Sequence, residues 1–180
     1  MTTTGQPAAL AALGAGRLAG SWTLDGARSQ VRLATKSMWG TVPVRGIFGK
    51  VSGSGTVTEA GEVAGTLTVA AGSIDTKIKK RDDHLRSADF FDAAKYPDIT
   101  FSATSVTLSG ENATVAGTLT VRDQTRPVTV SGAVSANGTG EISLDAEIPV
   151  NRGQYGMSFN QLGMMSLDNV IAIHAVFTKA

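Results

Sequence analysis

Two histidines and one late arginine are the side chains best equipped for chemistry in this chain. His84 follows the basic run Lys79-Lys80-Arg81 and the pair Asp82-Asp83. As a general base it needs an oriented partner and a nucleophile in reach. No G-x-S-x-G turn supplies that nucleophile. The plainer role is structural, with Arg81, Asp82 and His84 fastening a local element by hydrogen bonds. Holding a ligand head group is the sharper alternative. His174 sits in an alternating stretch among small apolar residues, as a satisfied core or interface histidine or as a polar contact inside the fold. Arg152, after Pro149-Val150-Asn151, offers several donors to an anionic or phenolic head group. Its plainer role is an ion pair with Asp75 or Asp92. Two histidines without clustered carboxylates argue against a metal site. We expect no catalytic residues, no metal and no cofactor.

Composition narrows the remaining classes. The absence of cysteine excludes disulfides, Cys-ligated zinc, iron–sulfur clusters and thiol nucleophiles. A net charge of +1 gives no overall pull toward nucleic acid or acidic membranes. Aromatic residues make up 6% and are not interleaved with basic ones, which argues against a nucleic-acid reader. The run Lys77-Lys79-Lys80-Arg81 could meet an anionic surface or a phosphate, but Asp82-Asp83 largely offset it. The start MTTTGQPAALAALGAG has no basic n-region and only a short alanine-rich run. Residues 1–20 therefore read as a tail or short helix ahead of one domain at 21–180, and a cytoplasmic location is expected. Nothing in the sequence has the length and apolarity of a transmembrane helix, so stable membrane insertion is not expected.

The elements that must position these residues are strands. Apolar and polar residues alternate over Trp22–Asp25, Ser29–Ser37, Val44–Thr58, Val63–Ile74 and Asp98–Leu108. They alternate again over Ala113–Arg122, Arg126–Ser135, Glu141–Val150 and Asp168–Lys179. Gly49, Gly53 and Gly55 mark bends or bulges. Glu59–Glu62, Ser109–Asn112 and Asp123-Gln124 read as turns. One interruption stands out. Over about residues 79–94 the alternation stops. Asp82 or Asp83 is placed to cap a short helix, and Asp89 a second helical turn bearing Phe90 and Phe91. Tyr96-Pro97 ends it. Long strands at regular spacing predict an up-and-down antiparallel barrel or a sandwich.

The in-phase face is almost free of polar residues, and a barrel of eight strands can enclose one small ligand. Candidate ligand contacts on strands are Leu33, Phe48, Leu67, Val69, Phe101, Leu119, Val130 and Leu144. Trp39, Phe90, Phe91, Met157 and Met164 stand outside simple alternation, where adaptable Met and aromatic side chains suit a lipid pocket. His84 and Arg152 complete the set as head-group candidates. Ordinary core packing is the competing reading for any single apolar member.

The chain resembles the YceI-like family of polyisoprenoid-binding, lipocalin-like bacterial proteins. The resemblance rests on Trp22…Asp25…Ser29-x-Val31, Val44-x-Gly46-x-Phe48 and Ser73-Ile74-Asp75-Thr76. It continues through Arg81-Asp82-x-His84-Leu85-Arg86-Ser87-x-Asp89-Phe90-Phe91-Asp92 and Tyr96-Pro97-x-Ile99-x-Phe101. Gly117-x-Leu119-Thr120-Val121-Arg122, Thr125-Arg126-Pro127-Val128 and Asn151-Arg152…Gly156 complete it. Ser37 stands where many members carry histidine, and Leu33 where phenylalanine is common. The resemblance implies an all-β, extended eight-stranded antiparallel barrel with one helical crossover. It also implies a homodimer, and binding of a long isoprenoid quinone, polyprenyl or fatty-acyl ligand for sequestration or transport. Two alternatives stay open: an enzyme acting on a lipid or quinone head group at the mouth, and a structural or stress protein whose core is filled by its own side chains.

Overall fold

The computed structural model describes residues 18–137, 140–160 and 163–180. The expected tail at residues 1–20 lies mostly outside them. Among the described residues, eleven strands form one sheet. They are β1 (Gly20–Leu24), β2 (Gln30–Ser37), β3 (Val42–Phe48), β4 (Val51–Val57), β5 (Val63–Ala70) and β6 (Ile74–Asp75). After helix α1 (Lys79–Arg86) come β7 (Asp98–Ser109), β8 (Asn112–Val121), β9 (Gln124–Asn137), β10 (Glu141–Asn151) and β11 (Asp168–Lys179). All pairings are antiparallel.

Three pairs of these strands are single staves with a break. β1 and β2 both pair with β11, at its two ends. β3 then pairs with β2, and β4 with β1. β5 pairs with β4, and β6 with β3. Counted as staves, the molecule is the expected eight-stranded up-and-down barrel, closed where β11 meets β1 and β2. Closure leaves little open sheet edge.

Each break has a local cause. Between β1 and β2, the Asp25 carboxylate accepts from the N–H groups of Ala27 and Arg28. Asp25 N–H then donates to Val176 O, and Val176 N–H donates to Ser29 Oγ, so the excursion is stitched onto β11. The break expected at Gly49 lies opposite the one at Ala71–Ser73, a 3-10 turn in what the sequence reads as continuous strand. Gly49 and Lys50 donate to the backbone and hydroxyl oxygens of Ser73, so the two breaks satisfy each other. In β7 the register slips between Ala103 and Ser105. The bulge moves the inward face from Ile99, Phe101 and Ala103 to Val106 and Leu108.

Glycine matters most where staves press together. A Cβ on Gly117 would strike Ser102 O, and one on Gly132 would strike Asp145 O. The β8–β9 turn falls at Arg122-Asp123, one residue earlier than expected, with Arg122 at φ 57°.

The crossover differs from its reading in two respects. Asp82 and Asp83 do not cap α1; Ile78 occupies that position without a side-chain bond. Residues 76–78 curl over the helix start. Asp82, 6% exposed, therefore accepts from the N–H and hydroxyl of Thr76 instead of from the helix's own first amides. Arg81 and Arg86 complete the fastening by donating to Thr76 O, Gly72 O and Ile74 O. Residues 87–96 form turns, not a second helical turn, and the Asp89 carboxylate meets His84 Nε2 at 2.9 Å.

Candidate functional site

Alternation on every stave sends one apolar face inward, and the interior holds three apolar spaces in line along the barrel. At the helix end is a cavity of about 180 Å³. At the far end, near Leu18 and Trp22, is one of about 190 Å³. Between them lies a waist of about 30 Å³, room for little more than a water molecule. The interior is thus neither a filled core nor a clear tube.

The expected ligand contacts fall into this arrangement as follows. Leu67, Phe101, Val130 and Leu144 line the far chamber. Leu33, Phe48, Phe90, Phe91, Arg152 and Met157 line the helix-end chamber. Phe48, Leu67, Val69, Phe101 and Leu119 make the waist. Trp39, Met164 and His84 are not among the residues lining these spaces. Trp39 is 66% exposed on the β2–β3 hairpin, with its backbone N–H donating to Met164 O. His84 faces outward from the chambers, edge-on to Phe90 and Phe159 and paired with Asp89.

His174 lies on the outside of the barrel, with Nδ1 2.6 Å from Asp145 Oδ1 and a half-exposed side chain. It follows that it is neither a core residue nor a contact within the tube, because the odd-numbered residues of β11 take the inward face.

Arg152 does not form its expected ion pair with Asp75 or Asp92. It is 5% exposed, and among the described residues no carboxylate pairs with it. Nε donates to Ser166 O at 3.0 Å. Nη1 donates to Met157 O and to Phe159 O at 2.7 Å, and Nη2 to Met165 O at 3.3 Å. The guanidinium also lies 5.3 Å from the Phe90 ring centre. One cation thus gathers four carbonyls of the segment after β10, which carries no regular strand to satisfy them. Burial holds the Arg152 pKa below the ordinary arginine value.

Among the polar residues the sequence reading left out of the site are Thr35 and Asn169. Both line the helix-end chamber. Thr35 Oγ1 is buried without a hydrogen-bond partner among the described residues. Asn169 spends its side-chain nitrogen on Leu167 O and Val150 O, leaving its Oδ1 as an acceptor. Their signal was phase alone, since each continues the inward face of its strand. Ile148 and Ile173 were missed for the opposite reason. Nothing distinguishes an apolar residue that lines a void from one that fills it.

Chemically, this geometry can hold an apolar chain along the barrel with a few polar contacts, uncharged and cationic, at the helix end. Among the described residues, no hydroxyl or amine reaches the His84 ring, which is occupied by a carboxylate and two aromatic rings.

The fold has solved counterparts. Burkholderia cenocepacia BcnA superposes with a TM-score of 0.77 at 27% identity, covering 85% of this chain and 98% of that one. A polyisoprenoid binding domain from Saccharophagus degradans, implicated in plant cell wall breakdown, superposes at 0.72 with 15% identity, covering 88% and 98%. Among curated proteins, Protein YceI of Escherichia coli O17:K52:H18 is 39% identical over 95 residues. That stretch covers 52% of this chain and 50% of the relative, so the alignment spans about half the length of each. The match to the YceI-like domain runs over residues 22–178, nearly the whole barrel, and the chain therefore belongs to the YceI-like family.

Proposed function

We propose that the barrel binds one long amphiphile, an isoprenoid or fatty-acyl compound. The tail runs through the waist into the far chamber, and the head group stays at the helix end. The observation that carries this reading is the buried, unpartnered Thr35 hydroxyl in the wall of the helix-end chamber, with only apolar space beyond the waist. A buried polar group without a partner is costly, and a head-group oxygen or nitrogen would relieve it. The far chamber suits the tail. Each CH₂ moved out of water contributes roughly 0.8 kcal/mol, so a dozen carbons supply on the order of 10 kcal/mol before the cost of ordering the chain. The waist must widen for this, through rotamer changes at Phe48, Leu67 and Phe101. The polyisoprenoid binding named for the Saccharophagus domain supports the same ligand class. Binding is the whole activity in this reading; sequestration or transport follows from it without catalysis. The homodimer and the cytoplasmic location are proposed on the resemblance and the sequence, and light scattering and cell fractionation read them.

Mass spectrometry of the purified chain, native and then after organic extraction, tests the ligand. A stoichiometric isoprenoid or fatty-acyl species is expected. A clean unliganded mass, with no uptake of added prenyl quinones or fatty acids, would overturn the reading.

A further inference from the structure

Exposed apolar side chains collect on one side of the helix-end rim. Trp39 is 66% exposed and Met38 47%, and Val42, Ile78, Leu167 and Val170 are exposed with them. On the outer face, Ala34 pairs with both Val170 and Arg45, and Lys36 with Pro43, so a strip climbs from Val170 across β11, β2 and β3 to Met38 and Trp39 at the hairpin tip. Val42 shares the inward phase of Val44 and is exposed at the strand end. Met38 and Trp39 take φ values of 51° and 55°, a left-handed conformation that residues with a side chain rarely adopt. The pair forms the centre of the hairpin turn that Gly40 N–H closes by donating to Ser37 O, so the turn itself sets this backbone, and neither side chain lines an internal chamber.

Lys36 and Arg45 stand on β2 and β3 beside the strip, and Lys80 stands on α1 at the same end of the barrel. Among the described residues, Lys36, Arg45 and Lys80 have no carboxylate partner, while Lys77 and Lys79 are in exposed pairs with Asp75 and Asp83. The sequence suggests that Asp82-Asp83 cancel the basic run. The fold takes Asp82 off the surface and shares Asp83 between Lys79 and Arg86. Asp168 lies at the margin, where Asn151 donates to it.

We propose that this rim docks on the surface of an anionic lipid bilayer. Met38 and Trp39 enter the head-group region, and Lys36, Arg45 and Lys80 meet the phosphates. Tryptophan favours that boundary because its ring is apolar and its N–H is not. Basic residues next to an anionic surface add to the attraction. A second copy of the chain fits the strip poorly, since a two-fold contact centred there would set the same cations against each other. Docked this way, the helix end of the barrel faces the lipid. The proposal holds whatever the barrel carries.

The test is flotation of the full chain with vesicles of phosphatidylcholine alone and of phosphatidylcholine mixed with phosphatidylglycerol. Trp22 is buried, so a shift in tryptophan emission reports Trp39. Binding to the anionic vesicles is expected, with a blue shift, and it should weaken with salt. Met38→Ser with Trp39→Ser should lower the partition coefficient about tenfold. Lys36→Gln and Lys80→Gln should each lower it roughly fivefold. The lysine variants sit outside the core, so they keep the test open if the hairpin variant folds poorly. No flotation of the wild type, or flotation unchanged in all variants, would overturn the proposal. So would a concentration-dependent dimer that is lost with Trp39→Ser.

Discussion

Replacing Arg152 by methionine keeps a long apolar stem against Phe90 and removes every donor the guanidinium supplies. Three of its bonds, to Ser166 O, Met157 O and Phe159 O, are 3.0 Å or shorter; the fourth, to Met165 O at 3.3 Å, is weaker. At the low end of about 1.5 kcal/mol for a hydrogen bond from a charged group, the three good bonds come to roughly 4 to 5 kcal/mol. Local opening of the segment after β10 would rehydrate the freed carbonyls and limit the loss. We therefore expect Arg152→Met to lower stability by about 3 kcal/mol or more, with a thermal midpoint roughly 6 to 12 °C lower for a domain of this size. Urea denaturation gives the first number. Amide exchange locates it. Protection should fall at Met157 and Ser166, whose N–H groups donate to Arg152 O and Lys36 O, and should hold in β8 and β9. Arg152→Lys should fall between, because an ammonium cannot span the same carbonyls from one position. A methionine variant within about 1 kcal/mol of wild type, with Met157 and Ser166 still protected, would refute the idea that this cation holds the segment.

Three further outcomes follow from the barrel. Ala146 lines the far chamber, so Ala146→Phe should fill that space and lower affinity for a long tail at least tenfold while a short-chain analogue binds as before, read by competition binding. Gly117→Ala should cost about 2 kcal/mol or more in urea denaturation, because its Cβ would strike the backbone oxygen of Ser102 and not a movable side chain. The hydrogen bond from Arg28 holds the Asp25 pKa below the usual carboxylate range, and the Lys77 backbone N–H does the same for Asp75. A carboxylate depressed in the folded state contributes stability that is present above the unfolded value of about 3.9 and is lost as pH falls through the folded value. Stability should therefore drop in acid below about pH 4, and Asp25→Asn should flatten that slope in denaturation curves run across the range.

Alternation alone made the staves legible. Leu33, Leu67, Phe101, Leu119 and Leu144 each stand in phase with apolar neighbours two residues away, and all face the interior spaces. Trp39 and His84 were less legible. They looked like mouth residues because they interrupt the pattern, but a residue outside a strand can turn either way, and both turned away from the chambers. Thr35 was passed over because a hydroxyl on an apolar face carries no mark of its own until the fold denies it a partner.

The sequence by itself determined some eight long alternating strands and the place of the helical interruption; where a strand is apolar on both faces, only closure decides which face turns inward. The strands and the interruption follow from local sterics and from a side-chain period of two, which operate within a few residues. Only the tertiary structure decided that the breaks at Gly49 and Ala71–Ser73 answer each other and that a bulge moves the inward face of β7 to Val106. Only closure sets Phe48, Leu67 and Phe101 across from one another to make a waist. The same holds for Asp82 turning in to Thr76 and Arg152 gathering four carbonyls. Each depends on which groups the closed barrel brings within hydrogen-bond or packing distance, and residues far apart in the chain supply them.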